Sequence, residues 1–505
     1  MHPPAQPPSV SQDAAPSGGV KRPWLPMKQV IGLAAVALFL LGGITGSGLL
    51  IQARFGEMDA SLQALVDGDK EDIYSAMSLA MLEDDREGFL RWAEGPARDQ
   101  LAQIWDGSKE VGWTVGLIDA VYEDDYSYDA ESYDPSRPMA NGLRIAFDLG
   151  FTHTRAAVGE NGPEPDCVVG VQNCGILTQS FDYDVTVDGG DGSHSSYRII
   201  EIAPRTPMPW DDKGGVYAVH SENSVLFGYA DEAAAIDAIA GDVQTAAAGV
   251  LQTEVATSGY STIPGFPAFY SGNSERYQDA VYGVGEYRKD IKRDWEEAGV
   301  TLVSVPLDVT NGATELAEKR GMLLELGMFG GQSGSLAAFN GEKIATSEQT
   351  PLRVAAHEFA HALEMTTFSH MIFDESSSEN LAFSFGSEGY ARYIEDLVAS
   401  PHDGVQLTLN PNVQAAIVAT PDEGLQGLVG AHAFSESTTS PLAYDAAGNY
   451  FAFMAASGVD ISQVMYRAEY MMFDPYTWIG LHYPTTASGE TIDATPTAWR
   501  SWNAR

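Results

Sequence analysis

His357 and His361 stand four residues apart with Glu358 beside the first, in the run His357-Glu358-Phe359-Ala360-His361. Each residue of a helix turns by about 100°, so two imidazoles at this spacing share one face and can point at one cation. Glu358 then falls beside that cation rather than on it. A carboxylate placed there can take a proton from a water whose pKa the metal has lowered to about 7, which is the chemistry of a zinc hydrolase. The element that must carry these residues is a helix, and the flanking residues specify one. Thr350 can cap it, Pro351 suits its first position, and Leu352, Ala356, Phe359 and Leu363 make an apolar stripe.

A catalytic zinc takes three protein ligands and keeps one open position, so a third ligand is required. A histidine ten residues after His357, as in metzincins, would fall at 367, but that residue is Thr367, and Glu364 stands where such a motif has glycine. His370, Asp374, Glu375 and Glu379 lie nearby in a polar, serine-rich stretch. Glu388 is the stronger candidate. The run Glu388-Gly389-Tyr390-Ala391-Arg392-Tyr393-Ile394-Glu395 resembles the second signature helix of gluzincins, the thermolysin-like and aminopeptidase-like zinc peptidases with a glutamate as third ligand. The resemblance implies zinc held by His357, His361 and Glu388, with Glu358 activating water. It also implies that Glu395 orients a ligand histidine by accepting its other ring N–H, and that Gly389 and Ala391 allow close approach to the first helix.

Two departures from the family stand out. Twenty-six residues separate His361 from Glu388, more than the family's usual interval, and an inserted loop at 366–385 accounts for the excess. The Gly-x-Met-Glu-Asn strand with which aminopeptidases grip a substrate amino terminus is missing, and Gly330-Gly331-Gln332-Ser333-Gly334 precedes Ser335–Phe339 in its place. Ser335–Phe339 is expected to be an edge strand that pairs with an extended peptide. The oxyanion donor is expected to be Tyr444, because Leu442–Met454 resembles the helix that carries this tyrosine in aminopeptidase-like members. Tyr390, Tyr393 and Tyr450 are its alternates.

The front of the chain speaks of location. No charge occurs between Lys28 and Arg54, and the nearly apolar run Val30 to Ile51 is long enough to cross a bilayer core of about 30 Å. We expect a transmembrane helix over 29–53 behind a disordered, proline-rich cytoplasmic tail at 1–28, the alternative being a cleaved signal peptide. Lys21, Arg22 and Lys28 precede the span while Glu57, Asp59 and Asp67 follow it, so the remainder is placed outside the cell. The net charge of −42 argues against nucleic acid or anionic lipid as a partner. Cys167 and Cys174, the only cysteines, then suit a small disulfide loop, with metal binding the weaker reading.

The external part is expected to be α+β in two domains that divide near Trp210. In residues 55–209, helical patterns over Leu62–Met81, 84–92 and 97–105 precede strands at Val111–Tyr122, Gly142–Phe151, Thr178–Val187 and Ser196–Ile202. Helices first and a sheet afterwards resemble the cone-shaped fold of nuclear transport factor and ketosteroid isomerase proteins. The acidic turns at 123–125 and 188–192 could take Ca²⁺ but lack the ordered spacing of an EF-hand and read as solvated loops. In residues 210–505 a strand at Gly214–His220, a helix at Asp231–Leu251, a loop at Ser258–Gly283, a helix at Glu286–Ala298 and a strand at Val300–Pro306 lead to the two histidines. The pattern points to a membrane-anchored, extracellular zinc metallopeptidase acting on a peptide or protein. The alternative is a catalytically silent cell-surface binding protein that keeps a peptidase-like fold.

Overall fold

Strands consecutive in the chain often pair as neighbours, and the longer strands between residues 113 and 204 do so. The computed structural model describes residues 84–121, 142–149, 177–188, 198–258, 265–285, 298–303, 335–347, 349–368, 384–421, 440–462, 485–486 and 488–505, with a few isolated positions besides. Helices α1 (Arg86–Leu90) and α2 (Gly95–Val111) precede strands β1 (Trp113–Val121), β2 (Gly142–Leu149), β3 (Leu177–Asp188) and β4 (Arg198–Pro204). These form a four-stranded antiparallel meander in the order β1-β2-β3-β4. Helix α2 packs on β4 and β1. The expected transmembrane segment and tail, most of the expected helix at 62–81, both cysteines, the turn at 123–125 and most of that at 188–192 lie outside the described residues. Among the described residues no helix is long and apolar enough to cross a membrane.

Residues 65–505 cluster as one compact unit, and the junction expected near Trp210 is a buried aromatic joint. The indole N–H of Trp210 donates to the Tyr183 hydroxyl at 3.0 Å, its ring meets Phe181 edge-on at 5.0 Å, and it stacks on Phe227 at 5.8 Å. Trp210 therefore joins β3 of the meander to the second sheet.

The second sheet has five strands: β5 (Val216–His220), β6 (Ser224–Tyr229), β7 (Phe266–Ser271), β8 (Gly299–Val303) and β9 (Ser335–Asn340). Their order is β8-β9-β7-β6-β5, with parallel pairing at β9·β7 and β7·β6 and antiparallel pairing at β8·β9 and β6·β5. The chain is thus a mixed α+β protein. Two expectations are corrected here. Ser335–Phe339 is not an edge strand, since it is hydrogen-bonded to β8 on one side and β7 on the other. Every residue of β9 is buried, and strands covered on both faces read as continuous apolar runs, which matches Leu336-Ala337-Ala338-Phe339. Among the described residues the edges are β8 and β5, and β8 matches the strand expected at Val300–Pro306. The supposed loop Ser258–Gly283 contains the central strand β7 and helix α4 (Ser274–Tyr282). Pro264 and Pro267 hide that strand in the sequence, whereas burial of all its residues and pairing on both sides impose it.

Helix α3 (Ala233–Val250) and helix α6 (Pro351–Phe368) pack together, and α6 also lies on β8 and β9. Between them in sequence comes the short α5 (Gly341–Thr346). The ring of Phe359 stacks on Phe266 at 4.6 Å and meets Phe339 edge-on at 6.1 Å, which seats α6 on the sheet. The carboxyl-terminal part is helical: α7 (Gly389–Asp403), α8 (Pro411–Ala419), α9 (Ser440–Ala456) and α10 (Pro496–Asn503). Helix α7 is clamped between α6 and α9.

Candidate metal centre

The cap expected at Thr350 is present: its hydroxyl accepts the Arg353 N–H at 3.3 Å and its carbonyl accepts the Val354 N–H at 3.1 Å. Leu352, Ala356, Phe359 and Leu363 are all buried, so the opposite face of α6 turns His357 and His361 toward α7. Glu388 ends a five-residue π-helical segment, Ser384–Glu388, that leads into α7. Wider π winding narrows the angle between adjacent side chains, and Ser387 and Glu388 both reach α6.

Three atoms converge. His357 Nε2 is 3.2 Å from Glu388 Oε2 and 3.2 Å from His361 Nε2, and His361 Nε2 is 3.3 Å from Glu388 Oε2. Ligand atoms about 2.0–2.1 Å from one ion, at tetrahedral angles, lie about 3.4 Å from each other, so this triangle fits a zinc ion with a fourth position left open. Among the described residues this trio is the one group of His, Cys, Asp or Glu side chains placed to share a metal. Burial pulls the His361 imidazole down, but the charge of Glu388 and contacts with Glu364 and Glu388 outweigh it and raise its pKa. His357 is raised for the same reasons, with Glu388 and Glu395 as its partners. Burial pushes the Glu388 carboxyl up, yet the two imidazoles hold it well below the usual carboxylate range. Protons and a divalent cation thus compete for the same atoms.

Each imidazole also has a carboxylate behind it. His357 Nδ1 is buried and lies 3.3 Å from Glu395 Oε2, close in distance but outside good hydrogen-bond angles. Glu395 is 1 % exposed and is gripped by two guanidinium groups, Arg353 Nη1 at 3.1 Å on one oxygen and Arg392 Nη1 at 2.6 Å on the other. Burial alone would raise the Glu395 carboxyl; Arg392, His357 and Arg353 bring it down to about 2. Arg353 continues to Asp396 at 3.0 Å and Asp403 at 2.7 Å, tying the start of α6 to the length of α7.

Behind His361 the arrangement was not foreseen from sequence. Ser387 Oγ is 3.0 Å from His361 Nδ1 and donates to Glu364 Oε2 at 2.6 Å, so the hydroxyl bridges ring and carboxylate. Glu364 lies three residues after His361 on the same helix face, and that spacing is the signal the sequence offers for it. Arg353, Arg392 and Asp445, the last 3.2 Å from Arg392 Nε across the α7–α9 contact, were also missed, because their roles depend on contacts between helices.

The tyrosines separate clearly. The Tyr444 ring lies 6.2 Å from the His357 ring, and the Arg392 guanidinium sits 5.8 Å from the Tyr444 ring centre. Tyr450 is buried and donates its hydroxyl to the Ala494 carbonyl at 3.1 Å. Tyr390 is buried against Phe451, and Tyr393 stacks on the same ring. Gly389 requires a further correction: it makes room not for α6 but for α9, since a β-carbon there would lie 3.0 Å from the Ala447 carbonyl carbon and 3.0 Å from Phe451 Cε2. The earlier placement followed the family resemblance, whereas here the small residue lies on the α9 side of α7. Glu358 is buried, and its charge is among those that raise His361. His370, Asp374, Glu375 and Glu379 lie outside the described residues. Compared with known proteins, the chain matches no family model, no curated protein and no solved structure, and its functional reading rests on this geometry.

Proposed function

We propose that this chain is a membrane-anchored zinc metallopeptidase of the gluzincin type, with its catalytic part outside the cell and an extended peptide or protein segment as substrate. The observation that carries the reading is the 3.2–3.3 Å triangle of His357 Nε2, His361 Nε2 and Glu388 Oε2, built on helices that also present Glu358. Those three side chains would hold the zinc, which when bound supplies a Lewis acid that polarises a carbonyl and lowers the pKa of a water. Glu358 accepts a proton from the attacking water at its carboxylate and returns it to the leaving amine as the C–N bond breaks. Tyr444, beside His357, donates its hydroxyl hydrogen bond to the developing oxyanion, a contribution on the order of 3 kcal/mol. Strand β8, at the sheet edge next to α6, offers main-chain groups to an extended substrate. The expected span at 29–53 would anchor the protein, and the first α+β part is assigned no catalytic task.

Zinc content of the purified full chain tests the first step. The native protein should hold one zinc and Glu388→Ala should not. Glu358→Gln should keep the metal and lose hydrolysis of an unstructured protein by about 10²- to 10⁴-fold. A native chain without stoichiometric zinc sinks the reading, and equal cleavage by the Gln variant removes Glu358 from the mechanism. Metal without turnover favours a binding protein.

A further inference from the structure

Gly299 opens edge strand β8, opposite Phe339 of β9, and the ladder continues through the Asn340 N–H, which donates to the Ala298 carbonyl at 2.9 Å. These bonds hold the strand to the sheet, so it cannot draw away from α6 without breaking them. The backbone of Gly299 is extended and outside the left-handed region, so any residue could adopt its conformation. What the position lacks is room. A β-carbon at 299 would lie 2.9 Å from Glu358 Cγ, 2.9 Å from Val354 Cγ1 and 3.1 Å from Glu358 Oε1. Carbon atoms in contact sit about 3.5–4.0 Å apart, so a side chain here would take the space that the stem and carboxylate of Glu358 occupy.

We infer that Gly299 is a positioning residue for Glu358: the missing side chain at the head of the edge strand is the space in which Glu358 sets its carboxylate. This rests on the reading of Glu358 as the proton acceptor. The same close approach brings the edge backbone alongside that carboxylate, so one glycine sets the gap between the strand offered to the peptide and the group that acts on it. Val354, one turn earlier on α6, forms the other wall and leaves the Glu358 side chain as the movable neighbour.

Gly299→Ala in the full chain tests this in three ways. The zinc content should equal that of the native protein while kcat falls about 100-fold, the scale of an ångström-sized misplacement, with KM little changed. In the crystal structure of the metal-free variant, Glu358 should have moved and β8 should not. In metal-free protein, Gly299→Ala should lower the melting temperature less in a Glu358→Ala background than in the native one, because the Val354 contact is common to both and the Glu358 contact is not. An unchanged kcat, an unmoved Glu358 or equal melting shifts in the two backgrounds would each overturn the inference. If the native chain proves inactive, the peptidase reading falls, and the crystal and melting measurements still decide whether Gly299 positions Glu358.

Discussion

On the proposed reading of the His357, His361 and Glu388 triangle as a zinc site, Ser387→Ala should weaken zinc binding by about tenfold without unfolding the protein. The hydroxyl stands between His361 Nδ1 at 3.0 Å and Glu364 Oε2 at 2.6 Å, and both of its partners are buried. With Nε2 turned into the triangle, where the proposed metal would sit, Nδ1 carries the proton and needs an acceptor. Hydrogen bonds to charged groups contribute about 1.5–3 kcal/mol each, and removing the hydroxyl breaks two contacts. His361 Nδ1 and Glu364 Oε2 are already 3.6 Å apart, however, so a shift of about 0.7 Å would let them bond directly at an ordinary distance. The net loss should then sit near one such bond at its lower limit, about 1.5 kcal/mol, which is roughly a factor of ten. Ser387→Ala with Glu364→Met removes the fallback, because no acceptor then remains at either position. That pair should lose more than the product of the two single effects, toward the 100-fold end of what partners behind a metal ligand contribute. Competition with a zinc chelator at fixed pH measures the constants, and melting of the metal-free forms checks the fold. If Ser387→Ala binds zinc within twofold of native, or the double variant equals the product of the singles, the bridge does not hold His361.

Three other outcomes follow from the packing around the site. Arg392→Met leaves buried Glu395 and half-buried Asp445 with one fewer cation and should destabilise the metal-free protein by about 3–5 kcal/mol in urea unfolding; a change below about 1 kcal/mol would contradict the contacts at 2.6 and 3.2 Å. Gly389→Ala should force α7 and α9 apart at Ala447 and Phe451 and cost about 1–3 kcal/mol by calorimetry, and an unchanged melting curve would show that the helices are not in close contact. Asp211 gives a pH dependence: burial, opposed by bonds from Met208, Gln100 and Tyr183, raises its carboxyl to about 7 from an ordinary 3.8. The folded state therefore holds that proton more tightly than the unfolded one, so the contribution is present below pH 3.8 and is lost as pH rises through 7. Between pH 4 and 7 the native protein should lose stability relative to Asp211→Asn; parallel curves in urea would refute the assignment.

Within the candidate site, what could be read in advance was local. The spacing of His357 and His361, the Thr350 cap and the apolar stripe of α6 all follow from one helical period, and the helix after Glu388 carries its own pattern. The four strands of the meander were legible for a similar reason, since each pairs with its sequence neighbour. The strands of the second sheet were harder. Ser335–Phe339 and Phe266–Ser271 are short apolar runs whose place in a sheet depends on partners far away in sequence, and Pro267 gives the second a loop-like composition.

The helical period alone puts the two imidazoles on one face with Glu358 beside them, and a second helical run offers another carboxylate downstream. Only the tertiary structure decided that Glu388 closes the triangle, that β8 rather than Ser335–Phe339 is a sheet edge, and that Ser387 with Glu364 stands behind His361. It also placed the Tyr444 ring 6.2 Å from that of His357 and set Gly389 against α9. The physical reason is range. A helix period follows from neighbouring residues, whereas a ligand triangle, a sheet edge and a buried Arg–carboxylate network arise from contacts between segments whose approach is governed by the packing of the core.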